Sequence, residues 1–235
     1  MKDEPRIIRI PLGRVNAYFV VGDGQVILID TGEKRNEKRI LQALATLGLS
    51  LSEIRLIILT HTHYDHCGSV RGLKEMTAAK VIVHQNEASC LREGYSGFPK
   101  GTSPVTKAIS WIGRSIGSRI GRYAPVEPDI IVSERFGLEE YGTEGYIVPT
   151  PGHTSGSMSV IISNRYALVG DTLFNIFRKS LFPPFADDQE ELLKSWAKLI
   201  DIGCRTFYPG HGSRFEVEKF RQSLERERKR SGLSS

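Results

Sequence analysis

Apolar and polar positions alternate with a short period at the start of the chain and pass to a helical period soon after. Residues 6–10, 15–21 and 25–29 read as three β-strands, punctuated by Gly13 and by the turn Gly22-Asp23-Gly24. Ile40, Leu41, Leu44 and Leu47 recur on one face of a helix over about 36–47, which Gly48 stops. The run 55–59 reads as a further strand, with Ser52 capping the turn before it. Beyond it the pattern predicts a helix over 69–76 and strands at 80–83, 129–132, 145–148, 158–162 and 166–169. A short strand at 206–208 separates helices over 188–200 and 215–228. Strands that alternate with helices, yet also pair through tight turns, imply an α/β chain of two mixed β-sheets sandwiched between helices.

Composition narrows the class. With 235 residues, 40% of them hydrophobic, the chain can bury a sizeable core as one domain over 1–235. No apolar run approaches the roughly 20 residues that span a bilayer. Residues 1–5 are polar and lack the apolar centre of a secretory signal, so a cytoplasmic protein is expected. Three cysteines, Cys67, Cys90 and Cys204, without C-x-x-C spacing argue against a disulfide framework and agree with a reducing compartment. The net charge of +5 permits an anionic substrate without demanding one. A small-molecule substrate is the expected partner, with no nucleic acid and no membrane, and with room for a homodimer.

The chemistry concentrates in Thr60-His61-Thr62-His63-Tyr64-Asp65-His66, directly after the apolar run. The chain has six histidines and three of them stand here, so chance clustering is a poor account. Neutral imidazole and ionised carboxylate are the ligands borderline divalent cations prefer. Histidines two apart project oppositely on a strand, so His61 and His63 converge only if the backbone there is a loop.

Four further motifs follow or precede it in order. His153 lies in Thr150-Pro151-Gly152-His153-Thr154, Asp171 in Val169-Gly170-Asp171-Thr172, His211 in Tyr208-Pro209-Gly210-His211-Gly212, and Asp30 in Leu28-Ile29-Asp30-Thr31-Gly32. Together these resemble the metallo-β-lactamase superfamily, and within it the glyoxalase II-like branch. The resemblance implies a four-layer αββα sandwich with two divalent metal ions at one edge of the sheets. It assigns His61, His63 and His153 to one ion, Asp65, His66 and His211 to the other, and Asp171 to both. It makes Asp30 a buttress of the histidine loop, and Thr60 is a second supporting residue. Zinc is the expected metal, and iron or manganese fit the same ligands. Gly152, Gly170 and Gly210 each precede a proposed ligand, where a missing Cβ allows a tight turn. His84 is the one histidine left over.

The function implied is hydrolysis of a small ester, thioester or lactone by a metal-bridging hydroxide, with Asp65 orienting the water. Only 24 residues follow His211, room for one helix rather than the glutathione-binding region of glyoxalase II. A mononuclear iron enzyme of the persulfide dioxygenase type, using His153 and Asp171 with a first-loop histidine, is the alternative. A phosphodiesterase or nuclease of the same superfamily is a third reading.

Two segments are candidates for substrate contact. Residues 85–127 exceed a simple connection and carry Ile109, Ile112, Ile116 and Ile120 at helical spacing, with Trp111, Arg114, Arg119 and Arg122 beside them. This is a lid insertion recognising anions through Arg114, a core cover, or a dimer contact. After the bridging aspartate, Phe174, Phe177 and Arg178 stand in a loop that either walls a pocket or joins the core.

Overall fold

The computed structural model describes residues 4–116, 121–177 and 180–231. Two six-stranded sheets are present. The first holds, side by side in chain order, β1 (Arg6–Leu12), β2 (Val15–Gly22), β3 (Gln25–Ile29), β4 (Ile54–Ile58), β5 (Lys80–His84) and β6 (Ile130–Val132). Its first three strands pair antiparallel and the rest parallel. The second holds β7 (Phe136–Gly137), β8 (Gly145–Pro149), β9 (Met158–Ile162), β10 (Tyr166–Asn175), β11 (Thr206–Gly212) and β12 (Phe215–Glu216). Only β10 and β11 are parallel there.

The alternation of side chains along each strand sorts them into layers. In β2, Ala17 and Phe19 join Ile40 and Leu44 of helix α1 (Glu37–Thr46) and Leu73 of α3 (Val70–Thr77), which follows the short α2 (Tyr64–Cys67). Tyr18 and Val20 point the other way and meet Ile147, Val160 and Leu168 of the second sheet. Beyond that sheet, Trp196 of α6 (Gln189–Asp201) and Phe220 of α7 (Val217–Ser231) pack on Ile161, Val169 and Phe207. Two further helices, α4 (Ala88–Glu93) and α5 (Pro104–Ile116), lie between β5 and β6 in the chain. The layers therefore run helix, sheet, sheet, helix. A fully buried Leu, Ile or Phe contributes about 1.5–3 kcal/mol, so these three apolar clusters hold the fold, leaving the polar edge available for chemistry.

Several boundaries depart from the pattern-based expectation. Residues 215–216 pair with Phe207 and Thr206 as β12, and the last helix starts after them. Ser50, not Ser52, caps the turn before β4, sharing Glu53 through its amide and its hydroxyl. Strand β10 continues to Asn175 and β11 to Gly212, because each completes the other's backbone bonding across register shifts at Leu168/Gly170 and Gly170/Phe174. Asp171 and His211 thus sit on adjacent parallel strands rather than in loops. No helix among the described residues is long and apolar enough to cross a membrane.

Candidate metal centre

All seven proposed ligands meet beyond the end of β4, beside the C-terminal halves of β10 and β11. His61 follows β4, His63 caps α2, and Asp65 and His66 lie within that single turn of helix. His153 stands in the loop after β8, which is tied to the histidine loop where the Met158 amide donates to the Thr60 carbonyl at 2.8 Å. Ligand atoms of His61, His63 and His153 fall within 4.8 Å of one another, as do those of Asp65, His66 and His211, and of His61, His66 and Asp171. Asp171 connects the groups. Its Oδ1 is 3.2 Å from His66 Nε2, and its Oδ2 is 3.4 Å from His211 Nε2, 3.6 Å from His153 Nε2 and 4.0 Å from His61 Nε2.

Partners outside the cluster assign the tautomers. His66 Nδ1 donates to Asp30 Oδ2 at 2.8 Å, His153 Nδ1 to the Phe185 carbonyl at 2.9 Å, and His211 Nδ1 to the Arg14 carbonyl at 2.7 Å. Thr60 donates to Asp30 Oδ2 and so accepts from His61 Nδ1, 3.1 Å away. Four rings therefore turn an Nε2 lone pair inward, the arrangement a cation needs. His63 adds its Nδ1, 3.0 Å from His153 Nε2.

The cluster fits metal ions on its own atoms. His61 Nε2, His66 Nε2 and Asp171 Oδ1 are buried and make no hydrogen bond, a costly state that a coordinated cation removes. The donors are nitrogen and oxygen only. Cys67 donates to the Thr62 carbonyl and packs in the core, and His84 accepts from the Asn86 amide away from the cluster.

Electrostatics without cations tell the same story. Burial drives His61 well below the usual imidazole range, and the neighbouring rings add to it. Burial likewise takes His153 down to about 4, against the pull of Asp171. His211 goes the other way, to about 10, because Asp171 and Asp65 outweigh burial. His66 is raised well above its ordinary value by Asp171, Asp30 and Asp65 against the same burial. The carboxylates thus favour positive charge at the centre of the cluster.

A cavity of about 610 Å³ opens onto these ligands, reaching His63, Asp65, His153, Asp171 and His211. Its walls are largely apolar, from Phe98, Pro99, Phe174, Ile176, Pro184 and Phe185, and Arg14, Tyr64 and Glu33 stand among its polar groups. Phe174, a proposed substrate contact, lines it and stacks on His211, with centroids 4.5 Å apart. Phe177 is 47% exposed and does not line it. Arg114 also stays out: its guanidinium donates to the Phe98 carbonyl at 3.2 Å, and it lines a separate groove with Lys107, Asp187 and Asp188. Arg178, Arg119 and Ile120 lie outside the described residues.

A family model described as the metallo-beta-lactamase superfamily matches residues 10–211. The chain belongs to that superfamily. Among its relatives, the probable metallo-hydrolase YqgX of Bacillus subtilis is 30% identical over 220 residues, covering 89% of this chain and 91% of that one. The atrochrysone carboxyl ACP thioesterase of Aspergillus fumigatus is 26% identical over 242 residues, covering 96% of this chain and 62% of that one. The crystal structure of a metallo-beta-lactamase family protein from Thermus thermophilus superposes with a TM-score of 0.72 at 24% identity, covering 97% of this chain and 79% of that one, which establishes the fold. The superfamily is metal-dependent, and the buried His/Asp groups give this member a place to bind metal.

Several residues that matter to this superfamily member escaped the motif reading. Asn16 donates from its side chain to the carbonyls of Pro209 and Gly212, at 3.1 and 2.9 Å, and Tyr18 donates to Pro209 at 2.7 Å. The first hairpin thereby clamps the end of β11 that carries His211. A polar Asn inside an otherwise apolar strand was the available signal. Glu87, 5% exposed, accepts from the Thr62 amide at 3.1 Å and from the Thr62 hydroxyl, so it fixes the peptide between His61 and His63. Nothing in its local sequence announces that role. Gly210 is needed for space rather than for a turn: a Cβ there would lie 2.5 Å from Asp171 Oδ1 and 2.6 Å from His66 Cε1.

Proposed function

We propose that this protein is a dinuclear metal-dependent hydrolase of a small ester, thioester or lactone with an apolar acyl portion. The observation that carries it is Asp171, whose two carboxylate oxygens stand between the His61, His63, His153 group and the Asp65, His66, His211 group. Two divalent cations held by these residues would acidify a water and polarise a carbonyl oxygen. Asp171 stays ionised because His211 and His66 outweigh burial, and Asp65, brought to about 2 by His66 and His211 against burial, is a carboxylate at every physiological pH. Asp65, one of the carboxylates that line the cavity, would accept a hydrogen bond from an attacking water and orient it.

The walls select the substrate. Phe98, Phe174 and Phe185 would receive an acyl group and exclude bulk water, while Arg14 and Tyr64 flank the polar end. The thioesterase of Aspergillus fumigatus is a relative whose chemistry suits that cavity. The deciding experiment offers metal-replete protein a panel of acyl thioesters, lactones, carboxylic esters and phosphodiesters. Turnover of the acyl substrates that is lost with chelator and restored by metal is expected. Turnover of phosphodiesters alone would reject the reading.

A further inference from the structure

The cavity differs in chemistry between its two sides. On one, the Phe185 carbonyl takes the Nδ1 proton of His153, and the Phe185 ring meets Phe98 edge-on with centroids 5.6 Å apart. On the other, the Arg14 carbonyl takes the Nδ1 proton of His211. The Phe98 and Phe185 wall therefore flanks the His61, His63, His153 group, and the β1–β2 hairpin flanks the Asp65, His66, His211 group.

That hairpin brings two arginines to the cavity. Arg9 and Arg14 both line it, and both are exposed. Arg9 Nε donates to Asn16 Oδ1 at 2.8 Å, and Asn16 in turn holds the Pro209 and Gly212 carbonyls on either side of His211. Both arginines are thus tied to the strand that carries a ligand. Arg71, Arg92, Arg165 and Arg230 pair with carboxylates, whereas neither Arg9 nor Arg14 does among the described residues. Glu33 is the one lining carboxylate outside the proposed ligand set among the described residues. Burial, Asp65 and Glu33 raise the Tyr64 phenol while Arg14 lowers it, so the Glu33 and Arg14 charges both reach that hydroxyl. Two guanidiniums against one carboxylate leave the rim beside His211 cationic.

A guanidinium grips a carboxylate or a phosphate through paired N–H donors, a match that a neutral amide or alcohol does not offer. We infer that Arg9 and Arg14 bind an anionic group, a carboxylate or a phosphate, on the portion of the substrate opposite its acyl chain. This deepens the hydrolase reading and rests on it for the acyl chain, whereas the anion site itself stands on the hairpin. Anion recognition, expected of Arg114, falls instead to these two residues.

The test uses the metal-loaded full chain and matched pairs of S-hexanoyl thioesters. The ester of mercaptopropionate is compared with that of mercaptopropionamide, and the ester of mercaptoethyl phosphate with that of mercaptoethanol. At least one anionic member is expected to exceed its neutral partner about tenfold or more in kcat/KM, and the pair that does so names the anion. Arg9→Gln and Arg14→Gln each lower that ratio about threefold or more, through KM. Arg6→Gln, on the same edge strand but outside the cavity, changes it less than about twofold. Glu33→Gln raises it, because an opposing charge is gone. The non-hydrolysable S-hexyl thioethers of the same thiols, titrated by calorimetry, read the preference without turnover. Circular dichroism and metal content establish that each variant is folded and loaded. Failure of the hydrolase reading alone shows as no turnover with the anion preference in binding intact. Equal binding of each anionic thioether and its neutral partner overturns the inference. So does a preference that survives the Arg9→Gln, Arg14→Gln double variant, or one that Arg6→Gln weakens equally.

Discussion

Asp30 accepts the Nδ1 proton of His66 at 2.8 Å from a backbone held at φ +58°, in the left-handed region. Such a conformation costs a non-glycine residue about 1 kcal/mol or more. Here it aims one buried carboxylate at three donors, because Oδ1 also takes the Thr60 amide at 2.8 Å and Oδ2 the Thr60 hydroxyl at 2.8 Å. The strain is retained where it orients a ligand and the loop that carries two more.

Asp30→Asn keeps the shape and removes one acceptor and the charge. It is expected to lower metal affinity about 10–100-fold, the usual effect of losing a partner behind a ligand histidine. Titration against a chromophoric chelator reads this directly. The first loss should fall on the ion proposed to bind at Asp65, His66 and His211. Unaltered affinity for both ions would contradict the assignment of Asp30.

Gly210→Ala tests the crowding at the centre. The added methyl meets Asp171 and His66 at 2.5 and 2.6 Å, so both must give way. Overpacking of this kind costs about 1–3 kcal/mol. The expected outcome is reduced metal loading with a small drop in the melting temperature of the metal-free chain. Full loading would mean that Gly210 does not lie against the ligands.

Much of this centre was legible in the chain because its chemistry is local in residue type. His61, His63, Asp65 and His66 are crowded into six residues, and Asp171 and His211 each directly follow a glycine. What could not be read was distance. Asn16 reaches Pro209 across 193 residues, and no short window reports such a pairing. The extension of β10 and β11 was hidden for the same reason, since each strand is completed by its parallel neighbour. Arg114 illustrates a different limit. Helical spacing places Ile109, Ile112 and Arg114 on one helix but not the side that faces the cavity, which Ser110 and Gly113 decide by packing on Pro99 and Phe98.

Protons and metal compete at His211, which sets the sign of the pH dependence. In the metal-free fold its pKa is raised to about 10 by Asp171 and Asp65, against burial, from an unfolded value of about 6.5. Its contribution to metal-free stability is therefore fully present below about pH 6.5 and lost as pH rises through about 10. Metal affinity changes in the opposite sense over that interval, rising with pH because the proton must leave first. Calorimetric titration near pH 8 in buffers of different ionisation enthalpy should show at least one proton released per chain. His153, at about 4, is already neutral there and adds none. Binding without proton release would contradict this account.

The central claim is that Asp171 joins two metal positions into one centre. Anomalous X-ray scattering from crystals of zinc-loaded protein, recorded on both sides of the metal edge, counts and locates the ions together. Two ions about 3.5–4 Å apart with Asp171 bound to both are predicted. A single fully occupied ion held by His61, His63 and His153, with Asp65 and His211 bearing no metal at saturating concentration, would contradict it.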